Sequence, residues 1–143
     1  MIESLVTAAE MNALISSTPF LAPYRFVVSG CRAGECEMLV PFQPELERLG
    51  GIISGMTFMG AADVAMWLAI MTLRGTTETW VTSDMKTAFL NSARQEDVVC
   101  RARVLKAGTR TMYGTAECVG NSESGNTNKL FAHHVLTYAR VSA

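Results

Sequence analysis

Gly55-Met56-Thr57-Phe58-Met59-Gly60-Ala61-Ala62-Asp63-Val64-Ala65-Met66-Trp67-Leu68-Ala69-Ile70-Met71-Thr72-Leu73 is a run of 19 residues with one charge, Asp63. As a helix it extends about 28 Å, enough to span the core of a bilayer. Three features argue against a span. A carboxylate near the centre costs about 2.5–3.5 kcal/mol on insertion scales. Only Arg48 and Arg74 flank the run, with no cluster of basic residues at either end. The remaining sequence reads as a globular β domain. In a soluble protein, a helix that is apolar on all sides is one enclosed on nearly every side.

The chain around this run has 143 residues, 49% hydrophobic and 17% charged, with net charge −1. That length fits a single domain, residues 1–143. The hydrophobic content excludes a disordered chain. The charge balance lacks the basic surplus of a nucleic-acid binder. The apolar excess therefore points to a membrane or to an oligomer, and Asp63 tips the choice toward the oligomer. Cys31, Cys36, Cys100 and Cys118 form no Cys-x-x-Cys pair, and the histidines are only His133 and His134. No metal site is expected from these spacings. The N-terminus lacks the basic and long apolar regions of a signal peptide, so reduced thiols in a cytoplasmic protein are expected.

Working outward, residues 4–17 predict an amphipathic helix with a weak stripe of Leu5, Ala8, Ala9, Asn12, Ala13 and Ser16, to which Leu5 and Met11 add bulk, ended by Thr18-Pro19. Residues 24–31 and 35–41 read as two strands joined by a turn at Arg32-Ala33-Gly34. Residues 42–53 read as a loop. After the apolar helix come strands at about 79–90, 96–107, 110–120 and 129–141. Val98, Cys100, Ala102 and Val104 fall on one face, and Val99, Arg101, Arg103 and Leu105 on the other. Lys106 to Thr109 is a tight turn, and Gly120 to Asn128 a polar loop. Short connections predict the last four strands as antiparallel neighbours. The order α-β-β-α-β-β-β-β gives an α+β fold. An antiparallel sheet curled around one long central helix, with an added N-terminal helix, is the hotdog arrangement.

The pieces then resemble a known family, the hotdog-fold acyl-CoA thioesterases of the phenylacetate-pathway (PaaI-like) type, over roughly residues 35–140. Ser54-Gly55 resembles the family's His-Gly-Gly or Ser-Gly turn, and Asp63 its acidic residue about eight positions later. Thr82-Ser83-Asp84-Met85 and Phe89-Leu90-Asn91-Ser92-Ala93 resemble the next strand and its end. Lys106-Ala107-Gly108-Thr109-Arg110 resembles the glycine-basic turn. Ala132-His133-His134-Val135-Leu136-Thr137-Tyr138 resembles the closing strand. Ser54 stands where many relatives have His, and Met56 where many have a second Gly.

The residues suit that chemistry. Helix N-termini present free amides at a positive dipole end, and Gly55 and Met56 stand there to meet a developing oxyanion. Gly55 lacks a Cβ, so a thioester can approach its backbone. Asp63, in an apolar setting, gains basicity, and Gly60 at i−3 opens space beside it. The resemblance implies that Asp63 activates water or attacks directly, on substrate held by a partner's helix turn. It also implies that Thr82 holds the water. Ser54 is placed to bond near the thioester, and equally to cap the helix. Ser83 joins the expected substrate contacts. Lys106 and Arg110 are candidates for coenzyme A phosphates, or simply a solvated hairpin end. The histidines read as structural, and Trp67 and Trp80 as pocket or core. The implied substrate is an acyl-CoA, aromatic or medium-chain, with no cofactor, no metal, no nucleic-acid partner and no membrane, in a homodimer or a tetramer of two dimers. The alternative is a non-catalytic acyl-CoA or fatty-acyl binding protein, suggested by Ser54 and Met56. A dehydratase fits less well, because the chain has no His before His133.

Overall fold

A computed structural model describes residues 3–121 and 129–141. Helix α1 spans Ala8–Ser17 and is followed by strands β1, Val27–Arg32, and β2, Glu35–Val40. A small antiparallel pair follows, β3 at Glu47–Arg48 and β4 at Ile52–Ile53. Then come the central helix α2, Gly55–Arg74, and strands β5, Thr79–Phe89, β6, Val98–Ala107, β7, Thr111–Gly120, and β8, Leu130–Val141. Six strands form one antiparallel sheet in the order β1-β2-β6-β7-β8-β5. It wraps around α2, which is the hotdog architecture expected from the sequence.

Several local expectations are corrected. The last four strands do sit together, but β5 pairs with β8 and not with β6. The chain crosses over after β5, and β6 enters beside β2. The first helix begins only at Ala8, because Thr7 and Glu10 close a reciprocal capping box. Its buried residues are Met11 and Ile15, one turn apart, while Leu5, Ala9, Ala13 and Ser16 of the expected stripe are exposed. Of the two bulky residues expected on this segment, Met11 is buried and Leu5 is 62% exposed. The first strand starts late, because Ala22–Tyr24 makes a 3-10 turn and Arg25 takes a left-handed conformation at φ 57°. The loop at 42–53 contains the β3–β4 pair. Of the expected polar loop, residues 122–128 lie outside the described residues.

Asn12 on α1 shows why the first helix matters to the sheet. Its amide donates to the Val28 carbonyl at 3.1 Å and accepts from the Val28 N–H at 2.7 Å. Val28 lies on the edge strand β1 beside a bulge, so a side chain serves backbone groups that no further strand reaches.

The core is the contact between α2 and the sheet. Ala61, Ala62, Ala65 and Ala69 are fully buried, so the helix backbone comes close to the strands, and Met66, Leu68 and Ile70 fill the space between. Opposite them stand Met38 on β2, Cys100 and Ala102 on β6, Met112 and Ala116 on β7, and Leu136 on β8. The alternation read along β6 is therefore correct. Thr72 anchors the far end of α2: its hydroxyl accepts from the Gly34 N–H at 2.7 Å and its carbonyl from the Leu5 N–H at 2.9 Å.

The helix is long and apolar enough to cross a membrane by length and composition, and 61% of its apolar window is buried inside the molecule. Its enclosure is incomplete. Met56 is 81% exposed, and Met59, Gly60, Asp63 and Trp67 are also partly or largely accessible. These positions follow i, i+3, i+4, i+7, i+11, so they form one stripe along α2.

Gly114 on β7 is where helix and sheet press closest. A Cβ there would run into the Arg103 carbonyl oxygen and lie 2.6 Å from the Met66 Cε. Gly114→Ala is therefore expected to destabilise the protein by about 1–3 kcal/mol through overpacking. Urea unfolding of the two proteins checks this, and an unchanged midpoint would show that the Arg103 backbone and Met66 both yield without cost.

Candidate active site

The open stripe of α2 carries Asp63 to the mouth of a cavity of about 290 Å³. The cavity is lined by Phe20, Asp63, Val64, Trp67, Trp80, Val81, Thr82 and Tyr138. Four of these eight are aromatic, and Asp63 is the one carboxylate among them. Trp67 and Trp80, which the sequence left between core and pocket, both line it.

Asp63 is held by side chains from two strands. The Thr82 hydroxyl on β5 donates to Asp63 Oδ1 at 2.5 Å. The Tyr138 hydroxyl on β8 lies 2.6 Å from the same Oδ1 and 2.7 Å from the Asp63 carbonyl oxygen, as one shared donor. Thr82 and Tyr138 are direct partners across the β5–β8 ladder, so register alone sets the two hydroxyls side by side. Both bonds fall on Oδ1, and Oδ2 takes neither. Burial raises the Tyr138 phenol far above its ordinary range, and the adjacent Asp63 charge adds to the effect. Tyr138 is thus a neutral donor at any working pH.

The N-terminus of α2 is capped by Ser54. Its hydroxyl accepts from the Thr57 N–H at 3.2 Å and lies 2.9 Å from the Thr57 hydroxyl. The amides of Gly55 and Met56, at the first two helical positions, point out of the helix end. Gly55 is hemmed in by Phe89: a Cβ there would stand 2.9 Å from the ring. The room that glycine leaves is filled by an aromatic side chain that is itself half exposed. Seven or eight residues separate these amides from Asp63, or about 10–12 Å along the helix.

The other sequence candidates lie apart from the cavity. Gly60 is one turn from Asp63, and a Cβ there would meet nothing within 4 Å, so its open side faces outward. Ser83 sits at the β5 bulge and donates to the Thr137 carbonyl at 3.1 Å. Lys106 and Arg110 flank the exposed β6–β7 turn, at the end of the sheet that also bears Tyr138: Arg110 accepts from the Arg140 N–H, two residues beyond Tyr138. His134 is fully buried, with Nδ1 2.8 Å from the Thr87 hydroxyl and Nε2 3.6 Å from Cys118 Sγ. It ties β5 to β7 through the core, and neither it nor Cys118 lines the cavity. All four cysteines are free thiols.

Four of the cavity residues, Phe20, Val64, Val81 and Tyr138, were given no site role by the sequence reading. Tyr138 meets Asp63 only because β8 pairs with β5, a contact 75 residues apart in the chain. Phe20 comes from the irregular segment after α1, where periodicity carries no signal. The one available cue was alternation along β8, which puts Tyr138 on the same face as buried Leu136 and His134.

Residues 50–120 match the family model described as the Thioesterase superfamily. Solved thioesterases share the fold. One from Haemophilus influenzae superposes with a TM-score of 0.86 at 19% identity, covering 99% of this chain and 96% of that one. Zebrafish thioesterase superfamily member 2 superposes with a TM-score of 0.82 at 21% identity, covering 96% and 99%. A conserved protein from Pseudomonas aeruginosa is 26% identical, with a TM-score of 0.79 over 87% of this chain and 94% of that one. An esterase candidate from Thermoplasma acidophilum is 27% identical over 104 residues, 73% of this chain and 78% of that protein. The matched stretch 50–120 contains Ser54, Gly55, Met56, Asp63 and Thr82, whereas Phe20 and Tyr138 lie outside it.

Trp80, which lines the cavity, is held from behind by Glu78. The Trp80 indole donates to Glu78 Oε1 at 3.2 Å, Arg74 makes two 2.7 Å bonds to the carboxylate, and Arg140 lies 3.0 Å away. These partners, Arg74 foremost, pull the Glu78 carboxyl from 4.5 down to about 2. A carboxyl lowered in the folded state adds stability above its unfolded value and loses it as pH falls through the folded one. Folding stability is thus expected to drop between pH 4.5 and 2, with Glu78→Gln flattening that limb. Urea midpoints measured across this range check it, and parallel curves for the two proteins would remove Glu78 as the cause.

Proposed function

We propose that this chain is a thioesterase that hydrolyses the thioester bond of an acyl-CoA, and that it is a cytoplasmic enzyme working without a metal or other cofactor. The observation that carries the proposal is Asp63: a carboxylate fixed by two hydroxyls, with one oxygen left over, at the mouth of an aromatic cavity in a hotdog fold. The family match and the thioesterase neighbours support thioester hydrolysis in general terms.

On this reading Asp63 Oδ2 takes a proton from water as the water oxygen attacks the thioester carbonyl. The tetrahedral oxyanion is met by helix N-terminal amides, those of Gly55 and Met56, and Ser54 keeps that turn in shape. The C–S bond then breaks, the coenzyme A thiolate leaves, and the proton on Asp63 returns to it or to solvent. Direct attack by Asp63 on the carbonyl, giving an anhydride that water opens, uses the same oxygen. Thr82 donates a hydrogen bond to Asp63 Oδ1 and keeps lone pairs to accept one from the water. The acyl group, aromatic or medium-chain, occupies the cavity, and Lys106 and Arg110 meet coenzyme A phosphates. Gly60 leaves room beside the carboxylate, and Ser83 braces the β5 bulge next to Thr82.

The amides and Asp63 of one chain are too far apart for one carbonyl, since an oxyanion donor works at about 2.7–3.1 Å. The working unit is therefore proposed to be a homodimer, or a pair of such dimers, in which the helix turn of one copy serves Asp63 of the other. The exposed Met56, Met59, Val81, Phe89 and Leu90 and the unpaired edge of β5 supply the surface for it. No nucleic acid and no membrane takes part.

One observation favours a second reading, a non-catalytic acyl-CoA or fatty-acyl binder: Phe89 fills the close-approach side of Gly55. A panel of acyl-CoAs followed by thiol release separates the two. Turnover of at least one member is expected, and Asp63→Asn should lower kcat by about 100-fold or more with the fold retained. Full activity in Asp63→Asn would overturn the mechanism, and tight binding with no turnover across the panel would select the binder.

A further inference from the structure

We propose that Tyr138 is a positioning residue that dedicates Asp63 Oδ1 to protein hydrogen bonds, so that Oδ2 alone faces the substrate and its water. This rests on the thioesterase reading and adds to it a residue from outside the stretch that matches the superfamily.

A carboxylate has two equivalent oxygens, and a free Asp side chain exchanges them by rotating about χ2. Here rotation is blocked on one side. Thr82 and Tyr138 both donate to Oδ1, at 2.5 Å and 2.6 Å. Tyr138 also bonds the carbonyl of Asp63 at 2.7 Å. One phenol therefore bridges the main chain and the side chain of the same residue, which fixes the direction of the carboxylate relative to the helix axis. Thr82 alone cannot do this, because it touches only the side chain among the bonds at this site. Tyr138 is itself immobile: it is 3% exposed and sits in a ladder between Thr82 on β5 and Met112 on β7. Its raised phenol keeps the proton in place. Of the residues lining the cavity, only Asp63 and Tyr138 titrate, so a change in the acid limb of activity has few other sources.

Tyr138→Phe keeps the ring and removes the hydroxyl. kcat is expected to fall about 10- to 100-fold, by analogy with the loss of a partner that orients a metal ligand. KM for the acyl-CoA should stay within about twofold, because the hydroxyl's bonds go to Asp63 and not to substrate. The acid limb of kcat/KM should move up, since Oδ1 loses a donor that favours its charged form. A purely structural Tyr138 would lower activity and stability together without moving that limb. The titration of the Asp63 carboxyl carbon, followed by NMR in wild type and Tyr138→Phe, reads the same shift without any substrate.

The two readouts keep the proposals apart. A shifted carboxyl titration in a protein that cleaves no acyl-CoA would retain the role of Tyr138 as the partner of Asp63 and overturn the thioesterase reading. An active enzyme in which Tyr138→Phe leaves kcat, the acid limb and the carboxyl titration unchanged would overturn the role of Tyr138. Where Tyr138→Phe does not fold, 3-fluorotyrosine at position 138 replaces it. Its more acidic hydroxyl is a stronger donor and should move the acid limb and the carboxyl titration down, and no movement would likewise overturn the proposal.

Discussion

The seating of α2 in the sheet is the constraint on which the site depends. Four fully buried alanines bring the helix backbone down onto the strands, and Met66 fits over Gly114 because β7 has no side chain there. This contact fixes how far the helix is rotated about its axis. Rotation decides which residues stay open, and the open stripe contains Met56, Met59, Gly60, Asp63 and Trp67. The direction of Asp63 is thus a product of core packing. A functional group set on a packed helix is held more exactly than one on a loop.

The second requirement is electrostatic. A half-buried carboxylate loses hydration and needs donors in return. Here they come from the strand pair β5 with β8. Register places Thr82 and Tyr138 opposite each other, and His134 with Thr87 repeats the pairing further along the same ladder. At the other end Glu78 gathers Arg74, Arg140 and Trp80, linking the last turn of α2 to both strands. The ladder that holds the carboxylate also positions a wall of the cavity, so changes along it reach the site.

The parts legible in the sequence were those set by local periodicity. The run from Gly55 to Leu73 announced a central helix by composition, and the alternation from Val98 to Leu105 announced a strand with one buried face. Asp63 stood out because nothing else in the run is charged. The parts that were hidden depend on contacts distant in sequence. The pairing of β5 with β8 follows from the need to wrap the helix, and connection length favoured a different neighbour. Tyr138 could be read as a strand residue but not as the partner of Asp63. Phe20 lies in a segment shaped by Pro19, Pro23 and the left-handed Arg25, where no repeat exists to read. Asn12 looked like part of a weak apolar stripe, and instead binds backbone at the sheet's edge.

The apolar excess of the composition divides into two portions. One fills the space between α2 and the sheet. The other remains on the surface, where Met56, Met59, Val81, Phe89 and Leu90 flank the stripe that bears Asp63 and the edge of β5. A monomeric enzyme gains nothing from apolar side chains around an open carboxylate, because water there screens the charge and competes for its lone pairs. Under the proposed dimer, a second copy laid on that surface would remove the water, cover the β5 edge and bring a set of helix amides that the 10–12 Å separation along α2 denies to a single chain. On the proposed reading the excess and the separation are therefore one feature seen twice. On that reading the helix carries the base at its middle and the oxyanion donors at its end, so two helices would be needed to bring one of each to the same carbonyl.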